Sequence, residues 1–196
     1  MRTLLFYLKV PFFIPHYLFF ILNEKPILGY ELLRWGEVLR INKSSKHALF
    51  FELICNLKEY RSLFYHRLGG KALLVSWYAP GIPNLYFDVP SSVISKGLVI
   101  QHGHSSRFNP ESCGENCQIW HNSTVGKGKP GGAKPVLGNN VLVTTGACVI
   151  GDIKIGNNVV IGANAVVVKD VPDDSVVVGN PSRIVRLKGE KVNIML

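Results

Sequence analysis

Four cysteines and six histidines are the side chains of this 196-residue sequence with the most distinctive chemistry. Cys55, Cys113, Cys117 and Cys148 show no CxxC and no Cys/His ligand spacing, and they are too sparse for a disulfide scaffold. They read as small buried apolar groups in a reducing cytoplasm, and no metal is expected. Histidine offers more. A neutral imidazole, with an ordinary pKa of about 6.5, can take the proton of a hydroxyl during attack, an effect worth roughly 10² to 10⁴ in rate. His16, His47 and His66 fall in a helical region and read as structural. His102, His104 and His121 fall among short repeats rich in Gly and Asn.

Those repeats set the scaffold. Steps of six from Leu137 give Val143, Val149, Ile155, Ile161 and Val167, all aliphatic. The position four further on gives Val141, Ala147, Ile153, Val159, Ala165 and Val171. The same register is expected at Phe87, Val93 and Val99, and again at Cys113, Ile119 and Val125, with a two-residue slip between Gly103 and Ser112. Three such units make one triangular coil, and stacked coils pair as parallel strands around a shared core. Gly and Asn are expected at the corners because they tolerate positive φ. One rung, residues 131–136, does not conform, and it overlaps a glycine/lysine segment at 127–135 that reads as a projecting loop.

The first 86 residues are different. Residues 4–22 are almost wholly apolar, but Lys9, Pro11, Pro15 and His16 interrupt them and no small-residue cleavage site follows. A buried helix, an interfacial membrane anchor and a true span all stay open. From Glu24 to Leu68 the apolar residues recur at three and four, with Asn42 and Ser44 as cap candidates. Gly69-Gly70 ends the pattern, and Pro80, Gly81 and Pro83 mark a linker. The expected division is a helical region at 1–86, a repeat domain at 87–187 and a C-terminal tail at 188–196.

The run IGDIKIGNNVVIGANAVVVKDVPDDSVVVGNPSRIVR resembles the C-terminal signature of the hexapeptide-repeat acyltransferases. FDVPSSVISKGLVIQHG is similar to the catalytic coil of their serine O-acetyltransferase branch. The resemblance implies a mainly β fold, a left-handed parallel β-helix with an α-helical N-terminal region, assembled as a homotrimer. It implies direct acetyl transfer from acetyl-CoA, with His102 as general base and Asp88 orienting it. His121 is the competing base, since other branches place theirs on different coils, and His104 could contact the acceptor. For CoA it implies Thr145 and Ala163 as groove-lining contacts and Lys169, Arg183 and Arg186 on the phosphates. The branch that holds galactoside and maltose acetyltransferases carries a histidine in its projecting loop; KGKPGGAKP has none.

The departures concern the acceptor. Gln101 stands where serine acetyltransferases carry an acidic residue, and Ala133-Lys134-Pro135 stands where they carry an Arg-His pair. A neutral sugar hydroxyl needs neither charge. A glycan acceptor, free or lipid-linked in surface-polysaccharide synthesis, is therefore expected, with Gln101, His104, His121 and Lys134 as its contacts. Serine O-acetylation and a non-catalytic β-helix scaffold are the alternatives.

Charge excludes a further class. The chain carries +9, but residues 1–86 hold 11 Lys/Arg against 5 Glu, so much of the excess lies in the most apolar part. That suits an anionic membrane surface, contacted through residues 1–22, better than a nucleic-acid groove, and no nucleic-acid partner is expected. The cytoplasm, or the inner face of its membrane, is the expected location.

Overall fold

The computed structural model describes residues 2–23 and 26–196, the side chains of residues 2–5 excepted. Glu24 and the side chains of Leu4 and Leu5, which belonged to the expected helical stretches, lie outside the described residues. Two compact units divide at Met1–Pro83 and Asn84–Leu196, so the repeat unit starts before residue 87.

In the first unit the proline-interrupted segment becomes α1 (Arg2–Lys9), a 3₁₀ turn over Val10–Phe13, and α2 (Ile14–Leu22). Pro11 and Pro15 sit in first turns, where a missing N–H costs no helix hydrogen bond. No helix among the described residues is long and apolar enough to cross a membrane. Three longer helices follow: α3 (Pro26–Val38), α4 (Lys46–Asn56) and α5 (Lys58–Leu68). Their three- and four-residue spacing puts Leu28, Leu32 and Trp35 against Phe50, Leu53, Tyr60 and Phe64 in one core. The N-cap of α4 is Ser45, whose hydroxyl accepts from Ala48 N at 3.2 Å, rather than Ser44. Gly69, at φ 62°, caps α5, and a short α6 (Leu73–Ser76) follows.

Inside this unit the Arg67 guanidinium meets the Glu31 carboxylate at 2.6 Å, both buried. His16 is buried too, with Nε2 2.8 Å from the Tyr65 hydroxyl, which donates to Ala79 O. Burial, reinforced by the nearby Arg61 charge, pushes His16 down to about 4. His47 meets the Tyr17 hydroxyl at 2.6 Å. These contacts account for His16 and His47 as structural groups.

The second unit is a three-faced parallel coil. The first turn comprises β1 (Leu85–Phe87), a bridge at Ile94 and β2 (Val99–Gln101). The second comprises β3 (Ser106–Phe108), β4 (Ser112–Cys113) and β5 (Gln118–Trp120). The third comprises β6 (Thr124–Gly126), β7 (Val136–Leu137) and β8 (Leu142–Val143). The fourth comprises β9 (Cys148–Ile150), β10 (Lys154–Ile155) and β11 (Val160–Ile161). The fifth comprises β12 (Val166–Val167), a bridge at Val171 and β13 (Ser175–Val178). Strands stack in parallel as face one (β1-β3-β6-β9-β12), face two (β4-β7-β10) and face three (β2-β5-β8-β11-β13). Face three then gains β14 (Arg183–Leu187) and β15 (Glu190–Met195) in antiparallel pairing. The expected tail at 188–196 is therefore a strand. Lys188 and Gly189, at φ 50° and 85°, make the tight turn that folds it back.

Leu137, Val143, Val149, Ile155, Ile161 and Val167 all point inward and are buried. The first coil departs from the expected register. Ile94 pairs with Cys113 and Ile100 with Ile119, while Val93 is only half-buried. A 3₁₀ turn over Ser91–Val93 takes up the extra residue.

The corners divide labour between residue types. Asn140 and Asn158 take positive φ, at 56° each, and their side chains form a ladder, Asn140 Nδ2 to Asn158 Oδ1 at 2.9 Å and Asn158 Nδ2 to Asp174 Oδ1 at 2.8 Å. Gly138 and Gly156 have ordinary φ; they are glycine because successive coils touch there. A Cβ on Gly138 would lie 2.8 Å from the Gly156 carbonyl.

Candidate active site

The three histidines of the repeat region gather where the chain passes from face three to face one. β2 ends at Gln101, and His102 turns the chain at φ 57°. Gly103 follows with its Cα against the core: a Cβ there would strike Ile100 and come within 3.2 Å of Leu85. One coil along, β5 ends at Trp120, and His121 and Asn122 make the equivalent corner, with Asn122 N donating to His104 O at 2.9 Å. The His104 and His121 rings stack at 4.8 Å, inclined by 20°, and His102 meets His121 edge-on at 5.9 Å.

Two buried serines hold this corner. Ser106 Oγ lies 3.1 Å from Trp120 O and 3.3 Å from His104 O, and it accepts from Ser123 N; Ser123 Oγ donates to Trp120 O. Sequence reading passed over Ser106, Ser123 and Gly103. A small residue just after each corner was their only signal.

His102 and His104 are exposed, and His121 is half-buried. Burial first, then the neighbouring His104 and His102, hold His121 below the ordinary imidazole value. Its Nδ1 is buried without a hydrogen-bond partner, as is the adjacent Trp120 Nε1. Polar atoms buried in this state are unusual, and the His121 ring that carries one of them lies 5.9 Å from the exposed imidazole of His102.

The edge continues into two more residues singled out in the sequence. Gly146 N donates to His121 O at 3.1 Å, and Asn164 N to Thr145 O at 2.9 Å, so His121, Thr145 and Ala163 mark the same edge on successive coils. Thr145 is half-buried and Ala163 exposed. Thr145 and Ala163 put short side chains on this edge. Gln101, at the end of β2, donates through Nε2 to Gln118 Oε1 at 3.3 Å.

Other expected residues lie elsewhere. The Asp88 carboxylate, expected beside His102, meets a cation of the next coil. Its Oδ2 accepts from Arg107 Nε at 3.3 Å. The reason is cross-coil register: Tyr86 pairs with Arg107, whose guanidinium lies 5.1 Å above the Tyr86 ring and within reach of Asp88. Lys134, in the projecting segment between β6 and β7, meets Glu111 Oε2 at 3.5 Å. That segment and exposed Lys169 both lie between faces one and two, away from the histidine edge. Arg183 and Arg186 are exposed on β14. No cluster of three His, Cys, Asp or Glu among the described residues could hold a metal ion.

No family model matches the chain. Among curated proteins it is 40% identical to a serine acetyltransferase of Bacillus pumilus over 158 residues, 76% of this chain and 68% of that relative. It is 45% identical to the serine acetyltransferase of Staphylococcus aureus over 107 residues, 53% of this chain and 50% of the relative. The chain thus spans about half the length of the Staphylococcus aureus relative. Among solved structures, the serine acetyltransferase of Neisseria gonorrhoeae in complex with serine superimposes with a TM-score of 0.61 at 25% identity, covering 82% of this chain and 68% of that one. The soybean serine acetyltransferase complexed with serine gives 0.54 at 29%, covering 81% and 68%. The chain belongs to the serine acetyltransferase branch of the hexapeptide-repeat acyltransferases. Relatives at up to 45% identity that are serine acetyltransferases overturn the expected sugar acceptor and its role in polysaccharide synthesis.

Proposed function

We propose that this protein transfers the acetyl group of acetyl-CoA to the hydroxyl of L-serine, with His102 as general base. The carrying observation is the single edge on which His102, His104 and His121 gather and along which Thr145 and Ala163 continue. In the proposed step the serine hydroxyl oxygen attacks the thioester carbonyl as His102 takes its proton. The new C–O bond forms, the C–S bond breaks, and the proton leaves with the CoA thiolate as the thiol. His121, whose protonation is disfavoured, can hydrogen-bond the acceptor beside the imidazolium that forms on His102, and His104 flanks it. The pantetheine arm would run past Thr145 and Ala163, with Lys169, Arg183 and Arg186 available to the phosphates.

The wider reading is a left-handed coil acting in the cytoplasm as a homotrimer. Lys134 and Lys169 lie at a different edge from the histidines, so a neighbouring copy is the natural means of bringing such cations to the site, including one for the serine carboxylate. The test is whether the purified protein makes O-acetylserine and free CoA from L-serine and acetyl-CoA.

A further inference from the structure

The helical unit carries an apolar surface that the acetyl-transfer reading does not use. One face of α2 packs inward: Phe20 stacks on Phe50 at 4.7 Å, Tyr17 lies against Phe51 at 5.2 Å, and His16 is buried. The other face presents Ile14, Leu18, Ile21 and Leu22, a stripe at i, i+4, i+7 and i+8, all exposed, with Leu22 at 75%. A helix apolar on both faces is built to meet something besides water on its outer one.

The stripe does not end with α2. Phe12, 68% exposed, precedes it, and its carbonyl accepts from the Tyr78 hydroxyl at 3.0 Å. The Tyr78 ring also packs on His16 and touches Trp77 at 5.1 Å. This pins the α6 region beside the α1–α2 turn and adds Leu73, Leu74 and Trp77, the last 79% exposed. Trp and Tyr at the margin of an apolar surface are side chains suited to the headgroup level of a bilayer.

Charge decides among occupants. Residues 1–23 and 69–83 hold Arg2, Lys9 and Lys71 and no Asp or Glu. Two copies meeting through this surface would bring like charges together with no acid in these segments to answer them. Anionic lipid headgroups answer them directly. The prolines at 11 and 15 keep the two short helices from forming one rod, which suits lying along an interface rather than crossing it. We infer that the α1–α2 segment and the α6 turn together form an interfacial docking surface for an anionic lipid bilayer.

Flotation of the full chain with vesicles of phosphatidylcholine, with and without phosphatidylglycerol, tests this. Partitioning should be about tenfold or more stronger with phosphatidylglycerol, with tryptophan emission shifting to the blue as Trp77 leaves water. Leu18→Glu/Ile21→Glu, and independently Leu73→Glu/Leu74→Glu, should each lower partitioning by at least about tenfold while far-UV circular dichroism stays unchanged. Absence of flotation with either vesicle overturns the inference. A fall in mass by light scattering for these variants without lipid also overturns it, because the surface would then join copies of this chain.

Discussion

The imidazole of His121 stacks on that of His104 with centroids 4.8 Å apart, although the two belong to consecutive coils. Two imidazolium ions at that distance repel, and burial already disfavours charge on His121. Charge on His121 is therefore disfavoured beside His104, while His102, more exposed, meets it edge-on at 5.9 Å.

Replacing His102 with Ala should lower kcat by roughly 10² to 10⁴ with KM for acetyl-CoA changed only a few-fold, because a general base acts mainly in the transition state. His121→Ala should be milder, with more of its effect on KM for the acceptor. Steady-state kinetics of both variants decide the matter. A larger kcat loss in His121→Ala would move the base one coil along.

Stability should fall in mild acid for a reason located in the helical unit. His16 is held near 4 when folded and returns to about 6.5 when the chain unfolds. Between those values the unfolded chain binds the extra proton, so its contribution is full above about pH 6.5 and is lost as pH falls toward 4. The loss is at most on the order of 3 kcal/mol. Urea midpoints at pH 7.5 and pH 5 should show it, and His16→Gln should flatten the slope.

Gly138→Ala should cost about 1–3 kcal/mol, because the new methyl meets backbone of the next coil at 2.8 Å and neither chain can yield alone. Gly70→Ala, with nothing within 4 Å of its Cβ, is the control and should be nearly neutral. Equal urea midpoints for the two variants would show that coil contact does not dictate glycine at position 138.

What the sequence revealed followed from how far each feature repeats. The inward hexads from Leu137 to Val167 were legible because every rung obeys the same geometry. Val93 was misread for Ile94 because a single 3₁₀ turn at Ser91–Val93 adds one residue, and no periodicity marks a one-time insertion. Gly138 and Asn140 were assigned one reason where they have two, close approach and positive φ. The gathering of His102, His104 and His121 follows from coil register once the slip after Gly103 is located. The Asp88–Arg107 pair was hidden because it depends on which side chains share a face across coils. The acceptor was misjudged from Gln101 and Lys134, two positions whose chemistry depends on neighbours that a single sequence does not display.

Whether acetyl passes from acetyl-CoA to L-serine is decided by kcat/KM for L-serine, followed as CoA release with O-acetylserine identified by mass spectrometry. Turnover with L-serine should be saturable, in the ordinary enzymatic range of about 10⁴ M⁻¹s⁻¹ or above, with values for hexoses at least about 10²-fold lower. Turnover with a hexose that exceeds turnover with L-serine would rule out serine as the acceptor.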